Sequence, residues 1–304
     1  MLATPTSDTA VTSALRSLGS TAATVDPNGN GINPFMVVIG NAHEEGSLAP
    51  TGISFDPTKR YNYTQIFRDT LEATRTAIKT RLRTGDAIKE AKRECLEIHS
   101  QGIERAMFLG NRYETTKNGK PIRNMGGILN QIDSANIKNA LTDYAGGVTM
   151  LGLEEYLYDI FKEGSNEKLA FMGNRALLTI QQIIRKNSSM QIESGLKEYG
   201  MNVSRLTTPY GELVMKTHPM FNQLTGGTTG SADYFGMESW MVALDMAEIS
   251  YVHLDDGDTK YQPKLQSNDL DGEKSGYLTE CSVQINHPSV HHVIKSLHSG
   301  VADA

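Results

Sequence analysis

Four histidines crowd the C-terminal end of the chain: His287, His291, His292 and His298. Two imidazoles at i, i+4 spacing on a helix are a familiar way of offering nitrogens to zinc. Here Pro288 follows His287 directly and biases it away from helix, and the segment alternates as a strand does. No carboxylate stands nearby in a His-Glu-x-x-His arrangement, so these residues read as surface or packing histidines. "SNDLDGEKSGYL" (267–278) offers Asp269, Asp271 and Gly272 in the manner of a calcium loop. Its first ligand position falls on Ser267 and its twelfth on Leu278, where a bidentate Glu is needed. It reads as a solvated acidic turn, and "DDGD", with Asp255, Asp256 and Asp258, reads the same way.

Other chemistries find less support. "PNGNGINP" has glycines in G-x-G spacing but runs into Pro34 instead of a helix, so it is a turn and not a phosphate cradle. No Gly-x-Ser-x-Gly elbow occurs, and the sequence nominates no Ser/His/Asp or Cys/His set. Cys95 and Cys281 are the only cysteines, far apart and in no metal-ligand spacing. They are expected to be reduced, partly buried thiols, which suits a protein made in a cytoplasm. No catalytic residue, metal or cofactor is expected.

The 304 residues are 38% hydrophobic and 21% charged, the balance of a globular protein with a real core. No apolar run reaches the length of a membrane helix, and the first residues have neither the basic nor the apolar region of a signal peptide. A net charge of −6 argues against tight nucleic-acid binding as the main task. The distribution is uneven. Lys59 to Arg83 holds seven Lys/Arg against Asp69 and Glu72, whereas Asp245 to Glu280 holds nine Asp/Glu against three lysines. Two such segments are either solvated faces or the two sides of a contact between copies.

These residues need elements to place them. "RYNYTQIFRDTLEATRTA" alternates from Arg60, with Tyr61, Tyr63, Gln65 and Phe67 on one side, and reads as a strand. "GDAIKEAKRECLEIHSQGIERAMFLG" (85–110) is the clearest helix, with an apolar stripe of Ile88, Ala91, Cys95, Ile98, Gly102 and Ala106. Asp86 favours its start and Gly110 marks its end. Asn118-Gly119 predicts a hairpin turn. Helices follow near 152–163 and 175–187, around a buried strand "KLAFMGN". "YGMNVSRLTT" and "GELVMKTH" read as strands joined through Pro209-Tyr210-Gly211. "GGTTGSADYFG" reads as a flexible loop, and "WMVALDMAEISYVHL" and "SGYLTECSVQINHPSVHHVIKSL" supply the last strands. The first sixty residues hold five of the ten prolines, and only "PFMVVIG" (34–40) is strand-like. Ordering so long a segment calls for a large burial surface, which neighbouring copies would supply.

The order of these features resembles the major capsid proteins of tailed double-stranded DNA phages, with the Hong Kong 97-type shell fold. "RYNYTQIFRDTLEATRTA" is similar to the extended loop before the long helix. "GIERAMFLGNRYETTKNGKPIRNMGGILNQI" resembles the spine helix running into a glycine-containing turn and a "GIL" strand. "LAFMGNRALLTIQQII" resembles the strand-then-helix of the axial domain, and "YLTECSVQINHPSVHHVIKSL" the closing strands, with Glu280 before an alternating apolar run.

The resemblance implies an α+β fold divided into an N-terminal arm (1–34), an extended loop (35–83), a spine helix with peripheral domain (84–132), an axial domain (133–244) and closing peripheral strands (245–304). It implies a structural protein with no active site and no cofactor. Such a protein self-assembles into hexamers and pentamers of an icosahedral head around double-stranded DNA, held without sequence specificity. Its further partners would be a portal and scaffolding or decoration proteins, with no membrane. It would form in the host cytoplasm and reside in the virion. On this reading the strand at Arg60 pairs mainly within its own loop, which lies over the next subunit. The inter-subunit contact candidates are then Arg60, Tyr61, Tyr63, Arg68, Arg75, Lys79, Arg81 and Arg83 on the basic side. On the acidic side they are Asp255, Asp256, Asp258, Asp269 and Asp271. Bacterial encapsulin shells share the fold and form the alternative reading; a metal-dependent α/β enzyme using the histidines is the third.

Overall fold

A computed structural model describes residues 59–80, 87–187, 192–198, 201–223 and 236–298, with Glu45, Gly46 and Leu48. From Lys59 onward these residues form one unit. The chain runs β1 (Gln65–Thr74), α1 (Arg75–Lys79), α2 (Ala87–Leu109), β2 (Tyr113–Lys117), β3 (Lys120–Asn124) and α3 (Ile128–Gln131). It continues through β4 (Ile137–Asn139), α4 (Ala140–Asp143), α5 (Met150–Phe161), β5 (Glu167–Met172), α6 (Asn174–Asn187) and β6 (Ile192–Glu198). Then come β7 (Met201–Thr208), β8 (Gly211–Thr217), α7 (Pro219–Gln223), β9 (Met241–Leu244) and β10 (Ile249–His253). β11 (Lys260–Gln262), β12 (Gly272–Ile285) and β13 (His292–Lys295) complete it.

A four-stranded sheet is built around β12, which pairs with β1 on one side and with β10 and β11 on the other. A seven-stranded mixed sheet has the order β4-β13-β9-β5-β8-β7-β6. Its central strands are buried on both faces, as mixed sheets covered on two sides must be. Ala170 and Met172 of β5 and Met241 and Ala243 of β9 join one apolar cluster with Leu153, Leu157 and Ile160 of α5 and Ile180 and Ile184 of α6. The alternate residues Phe171, Val242 and Leu244 join a second cluster that reaches Phe108, Phe221 and Val283. Phe108, at the end of α2, sits edge-on to Phe171 and Phe221 at 5.7 and 5.5 Å between centroids, and so ties the long helix to the larger sheet.

Three expectations are corrected. Among the described residues the strand after Arg60 finds its partner outside its own loop: β1 runs antiparallel to β12 in unbroken register from Gln65↔Cys281 to Thr74↔Gly272. Its alternation is as read, with Phe67, Asp69, Leu71 and Ala73 on the less exposed side. The partner lies two hundred residues away, beyond the reach of local pattern. Within α2, Ile98 is 63% exposed and the neighbouring His99 is buried in its place. The stripe steps by four from Cys95 to His99, because the imidazole has polar partners waiting on the sheet. Finally, "GIL" forms α3 and no strand, since Gly127 starts a helical turn closed by the Ile132 N–H on the Ile128 carbonyl.

Gly110 ends α2 as expected. A Cβ there would meet the carbonyl oxygens of Ala106 and Met125 at 2.5 and 2.6 Å, so only glycine lets the chain turn against its own helix. β6 had no counterpart in the sequence reading. "PFMVVIG" and the N-terminal arm lie outside the described residues, as does "GGTTGSADYFG" up to Phe235.

Candidate assembly surface

Strand edges are the exposed feature of this body. Among the described residues β1 is bonded on one side only, so the other side of a ten-residue strand has no strand partner there. β10 is likewise a terminal strand, and its residues from Ser250 to His253 are exposed. Tyr251 is 47% and Leu254 53% exposed. Open edges of this kind are templates for pairing with another chain. The β2–β3 hairpin forms a separate two-stranded sheet beside the start of β1, turned by Asn118 and Gly119 at φ 53° and 72°. Positive φ at both central residues is the type I′ turn that Asn-Gly predicts.

Several of the predicted contact residues are engaged within the chain. Arg60 pairs with Asp133 at 2.9 Å, and Arg75 with Asp271 at 3.4 Å, the latter between well-exposed side chains. Tyr61 lies under the Arg112 guanidinium at 4.3 Å and edge-on to Tyr63 at 5.7 Å. Arg123 stands 5.9 Å from the Tyr63 ring. Asp256 is ion-paired to Lys260. Asp258 accepts from the Thr259 N–H at 2.8 Å and the Tyr251 hydroxyl at 3.3 Å. A hydrogen bond from Ser267 holds the Asp269 carboxyl below its usual range. Arg68, Lys79 and Asp255 are exposed. Arg81 and Arg83 lie outside the described residues.

A buried polar group was not anticipated. His99 Nδ1 lies 2.6 Å from Asp69 Oδ2, and its Nε2 lies 2.8 Å from Thr279 Oγ1. Thr279 in turn bonds to Thr259 at 3.0 Å. This is the order of groups a hydrolase uses, but Thr279 is 0% exposed and no substrate can reach its hydroxyl. The arrangement fastens α2 to β1 and β12, helped by Lys92 on Glu273 at 3.3 Å. The signal was present in the sequence: Asp69 falls on the inward phase of β1, and His99 on a four-residue step of the helix. Replacing His99 by Leu is expected to destabilise the subunit by about 2 kcal/mol, because Thr279 and Asp69 lose their partner. Urea midpoints at neutral pH measure it; a midpoint equal to wild type would show that the group contributes nothing.

Of the histidines, His287 is exposed and bonds Glu248 at 2.8 Å, while His291, His292 and His298 are buried. Both cysteines are free thiols. Among the described residues no helix is long and apolar enough to cross a membrane.

A family model for the SU10 major capsid protein matches residues 1–298. The chain belongs to the SU10 major capsid protein family. A major capsid protein of Pseudomonas phage PaMx41 is 27% identical over 257 residues, 82% of this chain. The chain spans 58% of the length of that relative. Among solved structures, the holo-SrpI encapsulin complex from Synechococcus elongatus PCC 7942 aligns with a TM-score of 0.53 at 13% identity. That alignment covers 77% of this chain and 74% of the encapsulin chain. The capsid of a native GTA particle aligns at 0.50 and 10% identity, covering 85% and 80%. These likenesses give the fold, the α+β Hong Kong 97 type, which phage heads and encapsulins share. What separates the SU10 family from the encapsulin reading is the family model itself, which spans nearly the whole chain.

Proposed function

We propose that this chain is the tile of a phage head, associating in rings of six and five that close into an icosahedral shell around double-stranded DNA. Membership of the SU10 major capsid protein family carries the reading. The open edges of β1 and β10 support it, because a surface with unlike patches on one chain makes head-to-tail contacts that close into rings. The net charge of −6 suits a wall that does not grip the packaged genome. On this reading residues 133–244 form the axial domain, with 84–132 and 245–304 peripheral to it. The exposed residues Arg68, Lys79 and Asp255 are contact candidates, with Arg75 and Asp271 exchanging partners between copies. The portal, scaffolding or decoration proteins and the virion location belong to the same proposal.

Negative-stain microscopy of the purified full chain tests it. Hollow particles of uniform curvature are the expected result. A small, stable oligomer under all conditions of salt and concentration would refute the reading.

A further inference from the structure

We propose that β2 of one subunit adds in parallel to the β10 edge of the next, extending the four-stranded sheet across the boundary. The inference rests on the shell reading above and names the contact that makes it. Two features of this chain, each incomplete alone, fit one another.

The first is the hairpin. Every residue from Tyr113 to Arg123 that lies in its strands is exposed, and among the described residues neither outer edge is bonded to another strand. A free two-stranded ribbon is marginally stable in water and gains most from a third strand. Its two edges are unequal. β3 carries Pro121, which removes an N–H and blunts that side, whereas β2, with sequence YETTK, has every donor. The two-residue loop makes Lys117 and Lys120 a hydrogen-bonded pair, so the N–H groups of Glu114 and Thr116 point outward.

The second feature is β10. Natural edge strands are protected by lysine, proline, a bulge or a covering segment. The β1 edge has Arg68 and Glu72 on its exposed phase. β10, Ile249-Ser250-Tyr251-Val252-His253, has no charged or proline residue, and it is exposed on both faces after Ile249. β2 and β10 are five residues each, so one fills the other.

Charge sets the direction. Lys117 ends β2 with Lys120 opposite it at the start of β3, and Asp255 and Asp258 lie two and five residues past the C-terminal end of β10. Parallel addition brings these ends together; antiparallel addition would set Lys117 beside Ile249. Tyr113 and Ile122, both exposed and on one face of the hairpin, supply apolar area for Tyr251. Because the two patches differ, the contact is heterologous and repeats around a ring.

The test uses the full chain, followed by sucrose-gradient sedimentation and microscopy. Lys117→Glu with Lys120→Glu, and separately Asp255→Lys with Asp258→Lys, are each expected to lower the assembled fraction about tenfold, while the fourfold combination restores it. Thr116→Pro removes an outward donor without touching the hairpin's own ladder, and is expected to block assembly to a similar degree, about tenfold. Subunit melting should be unchanged in the lysine and Thr116 variants, and should fall only slightly where Asp258→Lys removes the acceptor of the Thr259 N–H and the Tyr251 hydroxyl. Normal shells from the three reversed or proline variants would overturn the pairing, as would a fourfold variant no better than its parents. If wild type itself yields no shells, the shell reading has failed and the pairing falls with it, which the wild-type gradient alone reveals.

Discussion

Replacing Lys168 by methionine is expected to cost the subunit about 3 kcal/mol, and by alanine about 3–5 kcal/mol. Lys168 belongs to β5, where the alternation Lys168, Ala170, Met172 points into the core, and it is only 1% exposed. Its ammonium donates to the carbonyls of Ile160 and Glu163 at 2.6 Å each and of Val290 at 2.7 Å. Ile160 is in the last turn of α5 and Glu163 just past it, so these are carbonyls with no partner inside the helix, at the negative end of its dipole. Val290 belongs to the segment that leads into β13. One side chain therefore closes a helix end and fastens it to the final strand. Burial works against the charge and pulls the lysine below its ordinary pKa, while Asp245 and Glu163 support it. A hydrophobic substitute can relieve a buried ion pair when both partners are replaced. Here the partners are backbone carbonyls, which no substitution removes, so methionine leaves three acceptors unsatisfied. The single tryptophan, Trp240, gives the fluorescence signal for urea unfolding. A methionine variant with the wild-type midpoint would show that the carbonyls find other donors.

Lowering the pH from about 6.5 to about 4 is expected to remove several kcal/mol of stability through two neighbouring histidines. Burial, and then the Lys168 charge, lower the pKa of His291 to about 4 and that of His292 to about 4. Asp245 and Glu248 pull the other way at His291, as does Asp159 at His292, without overcoming burial. His291 Nδ1 accepts the Asp245 N–H at 3.1 Å, which places its proton on Nε2 and leaves no acceptor for a second one. In the unfolded chain both rings take a proton near pH 6.5. Between about 6.5 and about 4 the unfolded state therefore binds more protons than the folded one, and stability falls as pH falls. Above that window the contribution is complete; below it no more is lost. Each histidine accounts for about 3 kcal/mol across the window. Asp245 adds a loss at lower pH: despite its burial, the N–H groups of Ser165 and Ala247 and the Lys168 charge hold its carboxyl below the usual range. Urea midpoints at several pH values in His291→Asn, whose amide oxygen can accept the Asp245 N–H, and in His292→Gln measure the effect. Each variant should flatten the dependence in this window. A slope unchanged in both would sink the assignment.

Local pattern made much of the fold legible. The strand phase of β1, the span of α2, the Asn-Gly hairpin, α5, β5, α6 and the turn between β7 and β8 are short-range consequences of apolar period and turn chemistry. The buried group at His99 half-announced itself, since a polar residue on a helix stripe needs a polar partner, and Asp69 was on the right face. Lys168 gave no such sign. Its carbonyl partners come from two segments, one of them more than a hundred residues away, and backbone acceptors leave no mark on residue type.

The amino-acid string determined which residues form helices and strands, which side of each is apolar, and, through the order of its motifs, the family resemblance. Only the folded molecule decided that β1 lies on β12, that Arg75 and Arg60 are bonded at home, and that β2 and β10 are terminal strands among the described residues. Periodicity is written into a strand by its own residues. Its neighbour is chosen by the whole chain, because any edge can bond any other, and packing selects among them.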